Sequence, residues 1–539
     1  MISCFRKVFS RIIAATFFAL FIAFAVNMAS AGMNASIQTD KLHLTFPAEG
    51  SSIVQWAVHA GDSFEKEQWK SLLTRDLSSQ LLSRHLSLDG LELSNGCWVG
   101  SDDTNEVLYV GSAENGQLIV RKRIRKSADY RLVLKIEIEN ASRSEIIELQ
   151  NDVRLVLGPG LGEYPAKGFG VAESMYSFVD PAVSADGEII GKRKDFSSQA
   201  SSPLTYDWFG LHSRYFALLL LPLGEYAYHQ PDINLVYPKD SDDSALPERY
   251  LPLLSINLKI KKLNPGQVIE REFLVFSGPK STAALKAADG DFSGIIFFGI
   301  WSWMAALCSG MLCVLKIIYG FVSNWCLSII LLAVLVRIVI YPFARKVISS
   351  QKAFAEVQKN IQPEIKAIKE TYRGGEQSEK ILELYKKHGV SPFAGLKPLL
   401  IVLVQLPIFI ALFHVLGRAF ELRSASFLWI ATLAEPDRLF SMGMSIPFFG
   451  EYFNVLPVLM AVTTLLTIKL SPAPAADKSG RFGQNVFLIS VAIAFFLLFY
   501  TFPSGMVLYW TMANVLHLLQ QFIVESVHKR NNKPNATAY

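Results

Sequence analysis

The sequence predicts a multi-span α-helical membrane protein that carries an exported all-β domain. Three observations predict it. Of 539 residues, 51% are hydrophobic and 18% charged, with a mean hydropathy of +0.29, too apolar for an ordinary soluble chain of this length. After Phe292, long uncharged runs recur that approach the ~20 residues needed to cross a hydrocarbon core. Before Phe292, short alternating segments between turn residues take their place. The net charge of +5 argues neither for nor against nucleic acid; its distribution along the chain is more telling.

Residues 1–31 carry Arg6, Lys7 and Arg11, an uncharged stretch from Ile12 to Met28, and then Ala29-Ser30-Ala31. This is either a secretory signal with an A-x-A-like cleavage site or an uncleaved signal anchor. Both readings export the segment after it.

Residues 32–290 form the exported β domain. In "YRLVLKIEIEN", Leu132, Leu134, Ile136 and Ile138 fall on one face and Arg131, Val133, Lys135, Glu137 and Glu139 on the other. That spacing predicts a half-buried antiparallel strand. "KLHLTF", "EVLYVGS", "GQLIVRKRI", "LLSINLKIKKL" and "REFLVFSGP" repeat the theme, and a β-sandwich of many short strands accounts for them. Cys97 is the one cysteine here, so no internal disulfide is available and the domain must cohere through its core. The domain has no H-E-x-x-H, G-x-S-x-G or Walker sequence, which points to a non-catalytic module; no metal or cofactor is expected.

The strong spans are Trp325 to Phe343, Pro398 to Leu416, Val455 to Leu470, Val486 to Thr501 and Gly505 to Val524, within a core of residues 324–527. Residues 345–396 lie between the first two. From Arg345 to Lys397 there are eleven Lys/Arg against six glutamates, an excess that belongs in the cytoplasm. The apolar run Phe292 to Leu315 is long enough to span, but a crossing there would put this basic loop on the exported side. It therefore reads as an interfacial helix, residues 291–323, with Trp301 and Trp303 at headgroup level. Arg418 to Tyr452 is then external, and the basic tail, residues 528–539, is cytoplasmic.

In the basic loop Phe354, Val357, Ile361, Ile365, Ile368 and Tyr372 adopt a coiled-coil spacing that Pro363 should kink or restart. Gly374-Gly375 should end that helix, and Ile381, Tyr385 and His388 continue on a second one. The expected product is a helical hairpin whose Lys352, Lys359, Lys366, Lys369, Arg373, Lys386 and Lys387 form a docking surface for anionic headgroups, ribosomal RNA or a targeting factor.

Arg337 stands inside "LLAVLVRIVIYP", roughly 12 Å along the helix from Arg345-Lys346. A charge near the centre of a span costs about 2.5–3.5 kcal/mol on insertion scales, so it should face protein or water. Other spans supply polar stripes: Trp510, Asn514, His517 and Gln521; Gln405 with Phe409 and Leu412; Met460, Thr464 and Thr467. Together they favour a wet cavity lined by Arg337. The absence of a carboxylate from the strong spans argues against a buried ion pair there.

"NWCLSIILLAVLVRIVIYP", "GLKPLLIVLVQLPIFIALF", "ELRSASFLWIATLAEPD", "LPVLMAV", "FPSGMVLYW" and "NVLHLLQQ", in this order around the charged hairpin, resemble the YidC membrane protein insertase family. The resemblance implies a five-helix insertase core, a periplasmic β-supersandwich and an amphipathic interfacial helix in a bacterial inner membrane. It implies that Arg337 is the groove arginine, with Gln405, Phe409, Met460, Thr464, Tyr509, Trp510, Asn514 and His517 around it. Implied partners are nascent membrane proteins and membrane lipids, with the Sec translocon, ribosome and signal recognition machinery as candidates; no DNA partner is expected. The competing classes are an anion or small-solute transporter, for which no internal repeat is visible, and a periplasmic ligand receptor.

Overall fold

The computed structural model describes residues 35–38, 41–46, 53, 55–59, 69–71, 85–101, 106–161, 179–185, 187–191, 206–224, 232–236, 251–288, 290, 292–388, 397–447, 449–470 and 478–531. The signal or anchor segment lies outside the described residues, as do residues 532–539 of the tail. The chain divides into two units, with the boundary in sequence near residue 299.

Strand alternation organises the first unit. Leu132, Leu134, Ile136 and Ile138 are all buried, on a strand that runs Arg131–Asn140. Its other face carries the ion pairs of Lys135 with Glu137 (2.9 Å) and Glu270 (3.1 Å). This strand lies inside a nine-stranded antiparallel sheet. In spatial order the strands are Glu188–Ile190, Val179–Ala185, Tyr206–Ser213, Phe216–Leu223, Val268–Pro279, Arg131–Asn140, Leu118–Ala128, Glu106–Ala113 and Ser94–Ser101. Two four-stranded sheets and a two-stranded one accompany it in this unit. At Gly210 an added Cβ would collide with the Leu218 carbonyl of the paired strand, so this position has no room for a side chain. A short helix, α1, spans Thr282–Ala287.

Two local expectations change. "LLSINLKIKKL" divides into Leu251–Asn257 and Lys262–Leu263, because Lys259 adopts a left-handed φ of 55° between them. Phe292, expected at the start of the interfacial helix, packs instead on Trp208 (5.6 Å between ring centroids) and Phe276 (5.7 Å) of the sheet unit.

The second unit is helical: α2 is Ser302–Val322, α3 Trp325–Thr371, α4 Gly374–Lys387, α5 Lys397–Arg418, α6 Val455–Leu470, α7 Lys478–Phe499 and α8 Ser504–Asn531. The expected fourth span, Val486 to Thr501, is thus a helix that starts earlier and stops at Phe499. Among the described residues, two helices are long and apolar enough to cross a membrane, Ser302–Val322 and Trp325–Phe343 of α3; Gln405–Arg418 and Val455–Thr467 are shorter apolar stretches. Trp301 and Trp303 stack at 6.2 Å, and both are exposed.

Helix α3 continues without interruption through Pro342 and Pro363, so the kink or restart expected at Pro363 does not divide it. The lost N–H leaves one unpaired carbonyl, which a long helix tolerates when packing holds both sides. Here Ile361 and Ile365 bury against Leu384, with Ile368 and Tyr385 beside them. The turn is Tyr372-Arg373, and the glycine pair opens α4 rather than closing α3: Gly374 supplies the left-handed φ of 67° at its first position.

Candidate functional site

Exposure along α3 separates two faces. Ile338 and Val339 are 64% and 68% exposed, whereas Cys326, Ala333 and Ile340 are buried. Arg337 shares the inward side, as its spacing from Cys326 and Ala333 predicts. Its Nη2 donates a hydrogen bond to the Ala513 carbonyl of α8 at 3.1 Å, while its Nε is buried with no hydrogen-bond partner among the described residues. The guanidinium thus meets a backbone dipole there, and donor capacity is left over. Tyr509 and His517, one turn to either side of Ala513 on α8, lie within its electrostatic reach.

The next face of α8 turns toward α6. Asn514 Nδ2 donates to Thr464 Oγ1 at 2.8 Å, and Thr464 Oγ1 donates to the Met460 carbonyl at 2.8 Å. Thr463, which lies off the stripe that the helical spacing marks, adds a 3.5 Å contact to Asn514. Met460, Thr464 and Asn514 are therefore brought together as one relay between two helices, and Arg337 approaches α8 from another.

Phe409 and Trp510 are also brought together, but in an apolar setting. Their rings meet edge-on at 4.7 Å, and Phe495 (5.4 Å) and Phe499 (5.5 Å) of α7 close on Trp510. Trp510 thus belongs to an aromatic wall beside the polar strip, although it shares a helical stripe with Asn514. Phe495 and Phe499 carry no sequence signal beyond membership of an apolar span. Gln405 is half-buried, one turn before Phe409 on α5.

The loop between α5 and α6 holds residues whose role is not legible in sequence. Asp437, 2% exposed, accepts through Oδ2 from Trp429 Nε1 (3.1 Å) and from the backbone N–H groups of Val455 (2.8 Å) and Leu456 (3.1 Å). It caps α6 from 18 residues upstream. The same loop caps α8: Ser504 N–H donates to the Glu435 carbonyl (2.7 Å), Gly505 N–H to Leu433 (3.0 Å) and Ser504 Oγ to Thr432 (2.9 Å). A Cβ on Gly505 would lie 3.1 Å from the Leu433 carbonyl, which gives the glycine of "FPSG" a packing reason.

On the basic hairpin, Lys366, Lys369, Arg373, Lys386 and Lys387 reach the surface, and the side chains of Lys352 and Lys359 lie outside the described residues. These cations are remote in sequence from the polar strip.

A family model described as 60Kd inner membrane protein matches residues 317–532, and one described as YidC periplasmic domain matches residues 95–308. The membrane protein insertase YidC of Chlorobium limicola is 29% identical over 334 residues, which are 61% of this chain and 53% of that protein. The membrane protein insertase YidC of Pelobacter propionicus is 28% identical over 475 residues, 85% of this chain and 80% of that one. The aligned part of this chain thus spans about half of the Chlorobium relative's length. A crystal structure of an active YidC insertase overlaps 95% of this chain and 98% of its own at 17% identity with a TM-score of 0.35, too loose to bear on either fold.

Proposed function

The chain belongs to the YidC membrane protein insertase family, whose two models together match most of it, and on that premise we propose that it inserts and helps to fold newly made inner-membrane proteins. The observation that carries this reading is Arg337, a cation on the inward face of an apolar helix, bonded to a backbone carbonyl and with donor capacity to spare. A polar stretch of an incoming chain would exchange water for that guanidinium, Asn514 and the threonine hydroxyls, while its apolar part slides along Phe409, Trp510 and α7. Such a path lowers the cost of moving polar groups through hydrocarbon, and the process needs no covalent step and no cofactor.

In this reading α3, α5, α6, α7 and α8 each cross the membrane as a five-helix core. Helix α2 lies in the external interface, held there by Trp301 and Trp303, and the β unit is periplasmic. The basic hairpin α3–α4 faces the cytoplasm and receives substrates from the ribosome, a targeting factor or the Sec translocon.

Photocrosslinkers placed at Arg337, Phe409 and Trp510 during membrane-protein synthesis test the proposal. Adducts to nascent chains are the expected result. Their absence, together with solute uptake that depends on the protein, would overturn it.

A further inference from the structure

The strand pair Phe440–Ile446 and Gly450–Phe453, in the loop between α5 and α6, presents an apolar surface. Leu428, Leu439, Phe440, Met444, Ile446 and Tyr452 are all exposed, with Leu428 at 77% and Met444 at 66%. Water is a poor neighbour for so many large side chains on one loop.

The loop's charges are engaged at its root. Glu421 pairs with Lys316 at 2.6 Å and Glu435 with Arg438 at 3.1 Å; Asp437 is consumed by the N-terminus of α6; and the Arg438 guanidinium lies 5.5 Å from the centre of the Tyr452 ring. On the strands, Glu451 accepts from Ser441 Oγ at 2.8 Å. Most of these charges are thus engaged by partners near the caps, Glu451 is bonded on the strands, and the large apolar side chains stay exposed.

Position narrows what can cover this surface. The loop leaves α5 at Arg418 and enters α6 at Val455, and the exposed apolar side of α6 continues through Leu459 and Val462. If α5 and α6 cross the bilayer, the strand pair is tethered at the external membrane–water boundary. Two strands leave backbone groups unpaired along their outer edges, which excludes the hydrocarbon centre and permits the headgroup–acyl boundary. Seven extended residues reach roughly 23 Å, enough to lie along that boundary rather than only touch it. Trp429 and Tyr452, aromatic rings with a polar end, suit the same depth.

We propose that this strand pair is a membrane-surface anchor, lying in the acyl–headgroup boundary of the outer leaflet with phospholipid chains against Phe440, Met444 and Ile446. The proposal rests on the spanning topology above, and the test separates the two. Diazirine-bearing residues are placed singly at Met444, at Val462 on the exposed side of α6, and at Ser378 on α4 as a water-facing control. The full chain is reconstituted in vesicles of phosphatidylethanolamine and phosphatidylglycerol, irradiated, and its phospholipid adducts are read by intact mass. The expected result is lipid adducts at Met444 in a yield comparable with Val462 and well above Ser378. Adducts at Val462 with none at Met444, or crosslinks from Met444 to another part of the protein, would overturn the anchor and leave the topology standing. No adducts at either position would overturn both.

Discussion

Asp437 Oδ2 accepts the backbone N–H of Val455 at 2.8 Å and so caps a helix from 18 residues upstream. A local cap ties a helix only to its own approach, whereas this one ties the middle of the preceding loop to α6. With Ser504 and Gly505 bonded to the same loop, the N-terminal ends of α6 and α8 share one support.

Replacing this carboxylate should therefore cost more than an ordinary cap. Asp437→Ala is expected to lose about 2 kcal/mol, the upper end of the capping range, because three donors, one of them buried, lose their acceptor. Asp437→Asn keeps an acceptor oxygen and should lose less. Thermal unfolding in detergent checks the order; equal stability of the two variants would remove the capping explanation.

Arg337→Ala should lower insertion of a substrate with a short polar tail by roughly tenfold or more, if the lost charged hydrogen bonds stabilise that tail by about 1.5–3 kcal/mol. Arg337→Lys should be milder if the site supplies a hydrated positive charge. Protease protection of the translocated tail measures both, and equal losses would instead indicate a need for guanidinium geometry.

If α6 and α8 cross the bilayer as proposed, the Asn514–Thr464 pair should contribute modestly, about 0.6 kcal/mol. Asn514→Leu and Thr464→Val are expected to be non-additive in a double-mutant cycle of unfolding free energies. Strict additivity would show that the 2.8 Å contact is not an energetic one.

Two buried bases should make the stability of the β unit depend on pH. Lys122, at an inward position of its strand, donates to the Leu86 carbonyl at 3.2 Å and lies over the Trp98 and Tyr109 rings; burial lowers its pKa to about 7. His85 accepts the Gly158 N–H on Nδ1 at 3.1 Å, and burial lowers its pKa to about 4. In both cases the unfolded chain binds the proton more tightly, so stability rises with pH between the folded and unfolded values. The windows are about 4 to 6.5 for His85 and about 7 to 10.5 for Lys122. Lys122→Met should flatten the upper window only, as read from melting temperature against pH.

Reversing Lys366, Lys369, Lys386 and Lys387 to Glu should weaken docking of the hairpin while leaving its fold intact, since Ile361, Ile365 and Leu384 form the packed seam. Near an anionic surface each lysine is worth about 1 kcal/mol, falling with salt. Co-sedimentation with anionic vesicles and with ribosomes, at two ionic strengths, identifies which partner the cations serve. Unchanged binding to both would reduce the surface to a solvated connector.

Much of the fold is legible in sequence because the physics is local. Alternation at Leu132 to Ile138 states which side of a strand is buried, and the 3.6-residue period around Arg337 states which side of the helix faces inward. Lys122 is illegible for the same reason: its alternation assigns it an inward position that a lysine occupies only when a carbonyl and two rings await it. Pro363 misleads because a proline's cost is read from one residue, whereas the continuity of α3 is decided by packing of Ile361 and Ile365 against Leu384 across the turn.

By itself, the sequence determined the two-part organisation, a basic segment between apolar helices, the family resemblance and the candidacy of Arg337. Each rests on composition, period or motif, properties that survive unfolding. Only the tertiary structure decided that Arg337 meets the Ala513 carbonyl, that Trp510 joins an aromatic wall while Asn514 bonds Thr464, and that Asp437 caps a distant helix. Those are contacts between helices far apart in sequence, and no spacing along one chain specifies which faces will meet.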